Sequence, residues 1–478
     1  MRHTSAPPSR RARLLWPVAV LALLVAACAP GDDESATTTT EAEAATETTA
    51  AEDTSGETTE EGDASGDEGD EMSGPSCGTD DVVLRAVFET GFDLPFELAD
   101  EFTNQYPNVT WDISQDQFNN LITTTPRLLD GDNPPDLIRL PTMVSLVQDG
   151  LLLNLDGYAE DFGWTEWSEA QFSQNRVDEN GVRGSGSLYA FGINHSLTGV
   201  FYNIEQAAQI GMTEPPATVE EFDALLAEAA AQGLQPIQVW NAAASGGGLA
   251  FPLQQLMAAY GDPAAINAWI FQEPGASIDN ADNVAAAEHL KGWIDAGYFP
   301  EDANAIEYTD ANARFRAGDG VFIFNGDWEN ATYDGEMFGN VGFFVFPGLE
   351  AGAPLAAMSS PNTYGIATNA ANPDCAAFFL NWVATDPVAR QLNVDLNGSN
   401  PGGPSDMALP DVTEGSVTEQ TLAGGNQIDL GMDFIANATG AIFAEGWTPE
   451  LQKMVGDRQD AAGLITTVQA EYEDQLEG

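Results

Sequence analysis

Between Asp81 and Leu152 short apolar runs alternate with helical stretches, and this alternation constrains the fold more than any other feature. Val82-Val83-Leu84-Arg85-Ala86-Val87-Phe88 reads as a buried strand. Phe96, Leu98, Ala99 and Phe102 then fall at helical spacing, and Tyr106-Pro107-Asn108 stops that helix. Val109-Thr110-Trp111-Asp112-Ile113 is a second strand and Asp136-Leu137-Ile138-Arg139-Leu140 a third, with Gly150-Leu151-Leu152 closing the helix after it. Strand, helix and strand at this pitch predict right-handed βαβ units and a largely parallel sheet, the α/β class. Ligands on such sheets bind beyond the carboxyl ends of the strands. The loops Glu89 to Pro95, Gln115 to Phe118 and Pro141 to Ser145 are therefore the first places to look for a site.

With 478 residues the chain exceeds what one core accommodates, so two or three lobes are expected. Its 75 acids against 15 bases give a formal net charge of −60. Such a chain repels phosphate backbones and has no basic face for anionic lipid headgroups, which excludes general nucleic-acid binding and electrostatic membrane docking. Three cysteines are too few for a disulfide-rich scaffold or a four-cysteine zinc site.

The N-terminus reads as an address. Arg2, Arg10, Arg11 and Arg13 precede an apolar run from Leu14 to Ala27, too short for a comfortable span and interrupted by Pro17. It ends Leu24-Val25-Ala26-Ala27-Cys28, which resembles a bacterial lipobox. By that resemblance residues 1–27 are a lipoprotein signal peptide and Cys28 becomes the lipidated first residue. The alternative is an ordinary signal cut nearby, leaving a free thiol. Ser9-Arg10-Arg11 also fits a twin-arginine signal, but Arg13 stands where that signal prefers an aromatic, so the export route stays open. Residues 28–76 follow as an acidic Thr/Glu-rich segment, with 16 acids between Asp32 and Glu71 and neither Lys nor Arg. Its composition predicts a disordered leash with an end-to-end distance of roughly 35–40 Å. The remaining body keeps 11 bases against 59 acids, with Lys291 and Lys453 its only lysines. An adaptation to salty surroundings and a plain bias toward solubility both fit that balance.

Gly192-Ile193-Asn194-His195-Ser196-Leu197-Thr198-Gly199-Val200-Phe201-Tyr202-Asn203 closely resembles the signature of family 1 extracellular solute-binding proteins, the sugar-binding receptors of ATP-driven importers. Gln209 to Phe222 continues the match with a helix end, the Pro215-Pro216 turn and a Thr218 N-cap with Glu221 three residues on. Ala207 and Phe191 depart from it, where the family has a larger apolar residue and often proline. Phe315 to Trp328, Tyr364 to Ala367, Asn372 to Leu380 and Asn397 to Pro401 resemble later family segments in the family's order, so the likeness covers nearly everything after Asp81.

The resemblance implies a periplasmic-binding-protein-like type II fold, two α/β lobes joined by hinge crossings around an interlobe ligand cleft. Crossings are expected near Asn194 to Val200, near Met358 to Tyr364 and near Gly402. This gives lobe 1 as 77–196 and 359–402, and lobe 2 as 197–358 and the C-terminal helices 403–478. It further implies capture of a carbohydrate by closure and delivery to ABC permease subunits, by a monomer held at the outer face of the membrane through its lipid alone. Neither enzymatic chemistry nor a cofactor is implied.

A sugar presents apolar C–H faces and a rim of hydroxyls, so aromatic platforms and planar polar groups at strand ends are the candidates. These are Phe92 and Asp93 after the first strand, Asp116 and Gln117 after the second, and Trp240 and Asn241 before Gly246-Gly247-Gly248. Asn325, Asp327 and Trp328 follow the Val321 to Phe324 run; Asn362 and Tyr364 sit at the second crossing, and Trp447 follows a glycine near the end. Trp269, Trp293 and Trp382 fall at helical apolar positions and read as core. His195 lacks companions at metal-ligand spacing and reads as a hinge or cleft-edge residue; Tyr364 has no adjacent tyrosine of the kind with which some relatives bind iron. Cys77 precedes the first strand and Cys375 begins a helix the family places in the same lobe, so an extracytoplasmic disulfide between them is implied. Rival readings are a lipid-anchored carbohydrate-active enzyme, the same receptor for a peptide, polyamine or metal chelate, and a receptor repurposed for adhesion or signalling.

Overall fold

The computed structural model describes residues 74–477 except 244, 245 and 405; the leader, the Cys28 lipidation site and the acidic segment to residue 73 lie outside the described residues. The strands are β1 (Val82–Glu89), β2 (Val109–Asp116), β3 (Leu137–Arg139), β4 (Arg176–Val177), β5 (Ser187–Leu188), β6 (Ala190–Asn203), β7 (Ile237–Gln238), β8 (Phe322–Gly326), β9 (Val341–Phe344), β10 (Ala356–Gly365) and β11 (Leu430–Met432). One sheet runs β2-β1-β3-β10-β6-β8-β7, with β9 also paired to β6 and β11 to β10; β4 and β5 form a separate hairpin.

The first βαβ unit forms as its pattern predicts. β1 lies parallel to β2, from Val82 opposite Val109 to Glu89 opposite Asp116, and parallel to β3. The connecting helix Leu94–Gln105 buries Leu94, Leu98, Ala99 and Phe102. It stops at Tyr106 because the following Pro107 disfavours helical geometry in the residue before it.

A largely parallel sheet is not what the whole chain builds. β10 runs antiparallel to both β3 and β6, and β6 antiparallel to β8 and β9. The reason is directional: a strand that carries the chain across the molecule and one that brings it back must point opposite ways. These pairings place Ser359, Ser360 and Pro361 beside Leu197, Ser196 and His195. On its other edge His195 bridges to Asn400, so three chain segments meet side by side.

Buried side chains gather on either side of that meeting. One set comes from 77–193 and 364–389, packed as Phe88, Phe102, Phe379 and Trp382 on one face of β1–β3 and as Leu121, Ile138 and Leu146 on the other. The other comes from 197–358 and 417–472, with Phe222, Trp269, Phe322 and Trp447 in one cluster and Phe201, Phe315 and Tyr333 in another. Trp269, Trp293 and Trp382 are all buried. Cys77 and Cys375 form a disulfide that joins the start of β1's approach to the helix Pro373–Thr385, across 298 residues. Among the described residues no helix is long and apolar enough to cross a membrane.

Candidate ligand-binding cleft

A cavity of ≈ 220 Å³ opens where the two buried sets face each other. The carboxyl ends of β1 and β3 bring Glu89, Phe92 and Arg139 to it, and the first residue of the helix Phe118–Leu129 adds Phe118. The crossing strands provide the floor: Ser196 from β6 and Met358, Ser360 and Asn362 from β10. Asn362 sits where the β6–β10 register shifts, between Pro361 and Thr363, and such an irregularity re-aims a side chain out of the sheet. The opposite wall is Phe251, Trp328, Asp433, Phe434 and Asn437.

That wall is an aromatic array with its own backing. Phe251 stacks on Phe434 at 4.7 Å between ring centres and approaches Trp328 at 6.2 Å. Behind them Trp240 packs on Phe251 at 5.4 Å and edge-on to Tyr308 at 4.8 Å. The Trp328 indole N–H donates to Tyr308 Oη at 2.8 Å, and the Tyr308 hydroxyl in turn donates to Glu329. Trp328 thus has its polar edge tied inward while its ring borders the cavity, the division of labour an amphipathic aromatic suits. The ring lies directly over Gly326, where a Cβ would come within 2.1 Å of it, so only glycine fits beneath the platform.

Two ion pairs line the cavity. Arg139 Nε lies 3.3 Å from Glu89, while its Nη1 donates to the carbonyls of Leu140 and Thr363 and its guanidinium sits 5.9 Å over the Phe118 ring. Burial pushes the Glu89 carboxyl above its ordinary value, with Arg139 opposing. Arg183 Nη1 lies 2.7 Å from Asp433, whose other oxygen accepts from Ser360 and Asn437. Among the described residues no three His, Cys, Asp or Glu side chains converge as a metal site.

Of the residues named from sequence, Phe92, Trp328 and Asn362 border the cavity. Asp327, next to Trp328, is buried and accepts a 3.0 Å bond from the Leu197 amide of β6, so it ties the Trp328 turn to a crossing strand. Trp240 stands one layer back, and Tyr364 is buried edge-on to Phe88 at 6.0 Å. Asn241 is buried and bonds the half-buried Asn304, and Asn325 bonds Asn312 and Tyr333 in the interior. Trp447 is wholly buried against Trp269, its indole N–H donating to the Ile435 carbonyl. Asp93 and Gln117 are exposed at helix starts, and Asp116 is spent on the start of its helix, where bonds from Asn120, Gln117 N and Thr124 hold its carboxyl low. Of these nine, all but Trp447 were chosen for lying at strand ends or at the second crossing, and that position did not decide which way the side chain points. His195 lies in β6 with its ring beside the Gln171 carbonyl, 3.4 Å away, and burial lowers its pKa.

Sequence reasoning missed Glu89, Phe118, Arg139, Arg183, Phe251, Asp433 and Phe434. Glu89 and Phe118 were within the flagged loops, and Arg139 was the penultimate residue of a flagged strand. Phe251, Asp433 and Phe434 carried no comparable signal, because their elements reach the cavity only through tertiary packing.

The model of the family described as bacterial extracellular solute-binding protein matches residues 94–390. A solved chitin oligosaccharide binding protein is similar with a TM-score of 0.68 at 17% identity, covering 83% of this chain and 99% of that one. An ABC substrate-binding protein from Listeria monocytogenes in complex with cycloalternan gives 0.64 at 16%, covering 83% and 100%. RafE in complex with raffinose gives 0.63 at 19%, covering 82% and 99%. Among curated protein sequences none matches this chain. With more than half the chain matched by the family model, and the two-lobed fold shared with these structures, the protein belongs to the bacterial extracellular solute-binding family.

Proposed function

We propose that this protein is the carbohydrate-capturing receptor of an ABC importer, anchored through lipid on Cys28 and working as a monomer that hands its ligand unaltered to the permease. The lobes are 77–196 with 359–402 and 197–358 with 403–478, hinged at the three adjoining segments. A ligand that touches both lobes only when they are closed shifts the population toward the closed form, which the permease then recognises.

The observation that carries this reading is the wall chemistry. Phe92 and Phe118 on one side face Phe251, Trp328 and Phe434 on the other, with charge confined to two ion pairs. Both guanidiniums are already engaged by carboxylates and carbonyls, which favours an uncharged guest with apolar faces and hydroxyl edges over an anionic one. Glu89, Asn362, Ser196 and Asn437 are among the polar groups that border the cavity and can meet hydroxyls. The oligosaccharides named for the structural neighbours point the same way.

A thermal-shift screen of neutral mono- and oligosaccharides tests this. A ligand at about 100 times its Kd stabilises the native state by about 2.7 kcal/mol, a readily measured rise in melting temperature. Stabilisation with the sugar recovered intact supports the receptor. Consumption of the sugar supports an enzyme, and stabilisation only by peptides, polyamines or metal chelates moves the ligand class.

A further inference from the structure

The hairpin of β4 and β5 is rooted in one lobe and touches the other with its tip. At its root Val177 and Leu188 are buried among first-lobe side chains, the Leu188 amide donates to Asp156, and Arg176 pairs with Asp156 and Glu169. At its tip the Arg183 amide donates to the carbonyl of Phe271, at the end of the second-lobe helix Pro263–Ile270, at 3.0 Å. The Arg183 guanidinium lies 5.0 Å over the Phe271 ring. Its Nε and Nη2 donate back to the Gln174 carbonyl at 3.2 and 2.8 Å, while Nη1 reaches Asp433.

Asp433 is a junction on the far side. Its amide donates to Asn267 Oδ1, its carbonyl accepts from Gln254, and its carboxylate takes Ser360 and Asn437 as well as Arg183. The pair is sealed, with 9% of the Arg183 side chain and 2% of the Asp433 side chain exposed. Phe434 and Asn437 of the cavity wall hang from this same junction.

We propose that residues 176–188 form an interlobe strap, in which Arg183 is a positioning residue that latches the lobes together through Asp433 and holds the Asp433–Asn437 wall in its ligand-ready form. The proposal rests on the hinged-receptor reading and adds what sets its closed population before any guest arrives. Opening the cleft separates the pair, so the latch favours closure without ligand. Apparent affinity scales with the population of the binding-competent form, and a weaker latch lowers it by that factor.

The tip is shaped for this docking. Asp178 Oδ1 accepts the amides of Asn180 and Val182, and Gly184 at φ +92° presses on Phe271, where a Cβ would lie 3.0 Å from the ring. Gly184 does not border the ligand cavity, so it separates latching from direct ligand contact.

Small-angle X-ray scattering of the ligand-free protein, comparing wild type with Arg183→Gln, Asp433→Asn, the double variant and Gly184→Val, reads the latch whether or not a sugar binds. The expected result is a larger radius of gyration for every variant, with the double no more open than the more open single, and circular dichroism spectra unchanged. For a sugar found by the screen above, Gly184→Val then binds on the order of tenfold or more weakly although it touches no ligand. Unaltered ligand-free scattering in folded Arg183→Gln and Gly184→Val overturns the latch, even if sugars bind. Opened scattering with no carbohydrate binding in wild type leaves the latch standing and removes the sugar reading.

Discussion

Trp328 and Trp447 are the same side chain in opposite employment. The first has its N–H tied to Tyr308 and its ring at the cavity; the second is wholly buried against Trp269. Trp328→Ala is therefore expected to cost at least about 1 kcal/mol of ligand affinity, read by calorimetry, with the melting temperature little changed. Trp447→Ala is expected to cost about 3–5 kcal/mol of stability, read by denaturant titration, through the cavity it leaves. Asp327 gives a pH prediction. Burial raises its carboxyl well above the ordinary value, opposed by the hydrogen bond it accepts from the Leu197 amide. A raised carboxyl holds its proton more tightly when folded, so its contribution favours the fold below about pH 4 and is lost as pH rises toward the folded value. Asp327→Asn should accordingly melt higher than wild type near neutral pH, with the gap closing as the pH falls to about 4. A gap that widens toward acid would mean that another group governs.

Among elements, the helix Pro373–Thr385 is bound to the start of the body by the Cys77–Cys375 disulfide. The bond closes a 298-residue separation, and removing such a link is expected to cost about 2–5 kcal/mol. Cys375→Ser and reduced wild type should melt together, both below oxidised wild type; coincidence of all three would show that the bond adds nothing. The aromatic layer behind the cavity acts at the same scale. Trp240 touches Phe251 and Tyr308 rather than the cavity, so Trp240→Ala should weaken binding through the loosened array and also lower the melting temperature, a double signature that Trp328→Ala lacks.

For the whole molecule charge dominates. A net charge of −60 destabilises a compact state through self-repulsion, and about 0.1 M salt shortens the range of that repulsion to ~10 Å. The melting temperature is therefore expected to rise with sodium chloride, and a flat profile would argue that the acids are spaced widely enough not to interact. Within this field the cleft carries paired charge, Arg139 with Glu89 and Arg183 with Asp433, although the body has only 11 bases to distribute.

The α/β class and the βαβ start were legible in the chain, because each depends on residues close in sequence, and the strand-end loops flagged there include Glu89, Phe92 and Phe118 of the cavity. Phe92 and Trp328 reached the cavity by local logic, in a loop and a turn, whereas Asn362 reached it through the register shift where β10 pairs with β6. Tyr364, Asn325 and Trp447 went to the interior because sheet pairing and helix packing, not strand-end position, decide which way a side chain faces. The antiparallel crossings, the strap that brings Arg183 to Asp433 across 250 residues, and the Phe251–Phe434 stack were decided by tertiary structure alone. Hydrophobic periodicity reports what one element buries; it carries no information on which distant element will meet it.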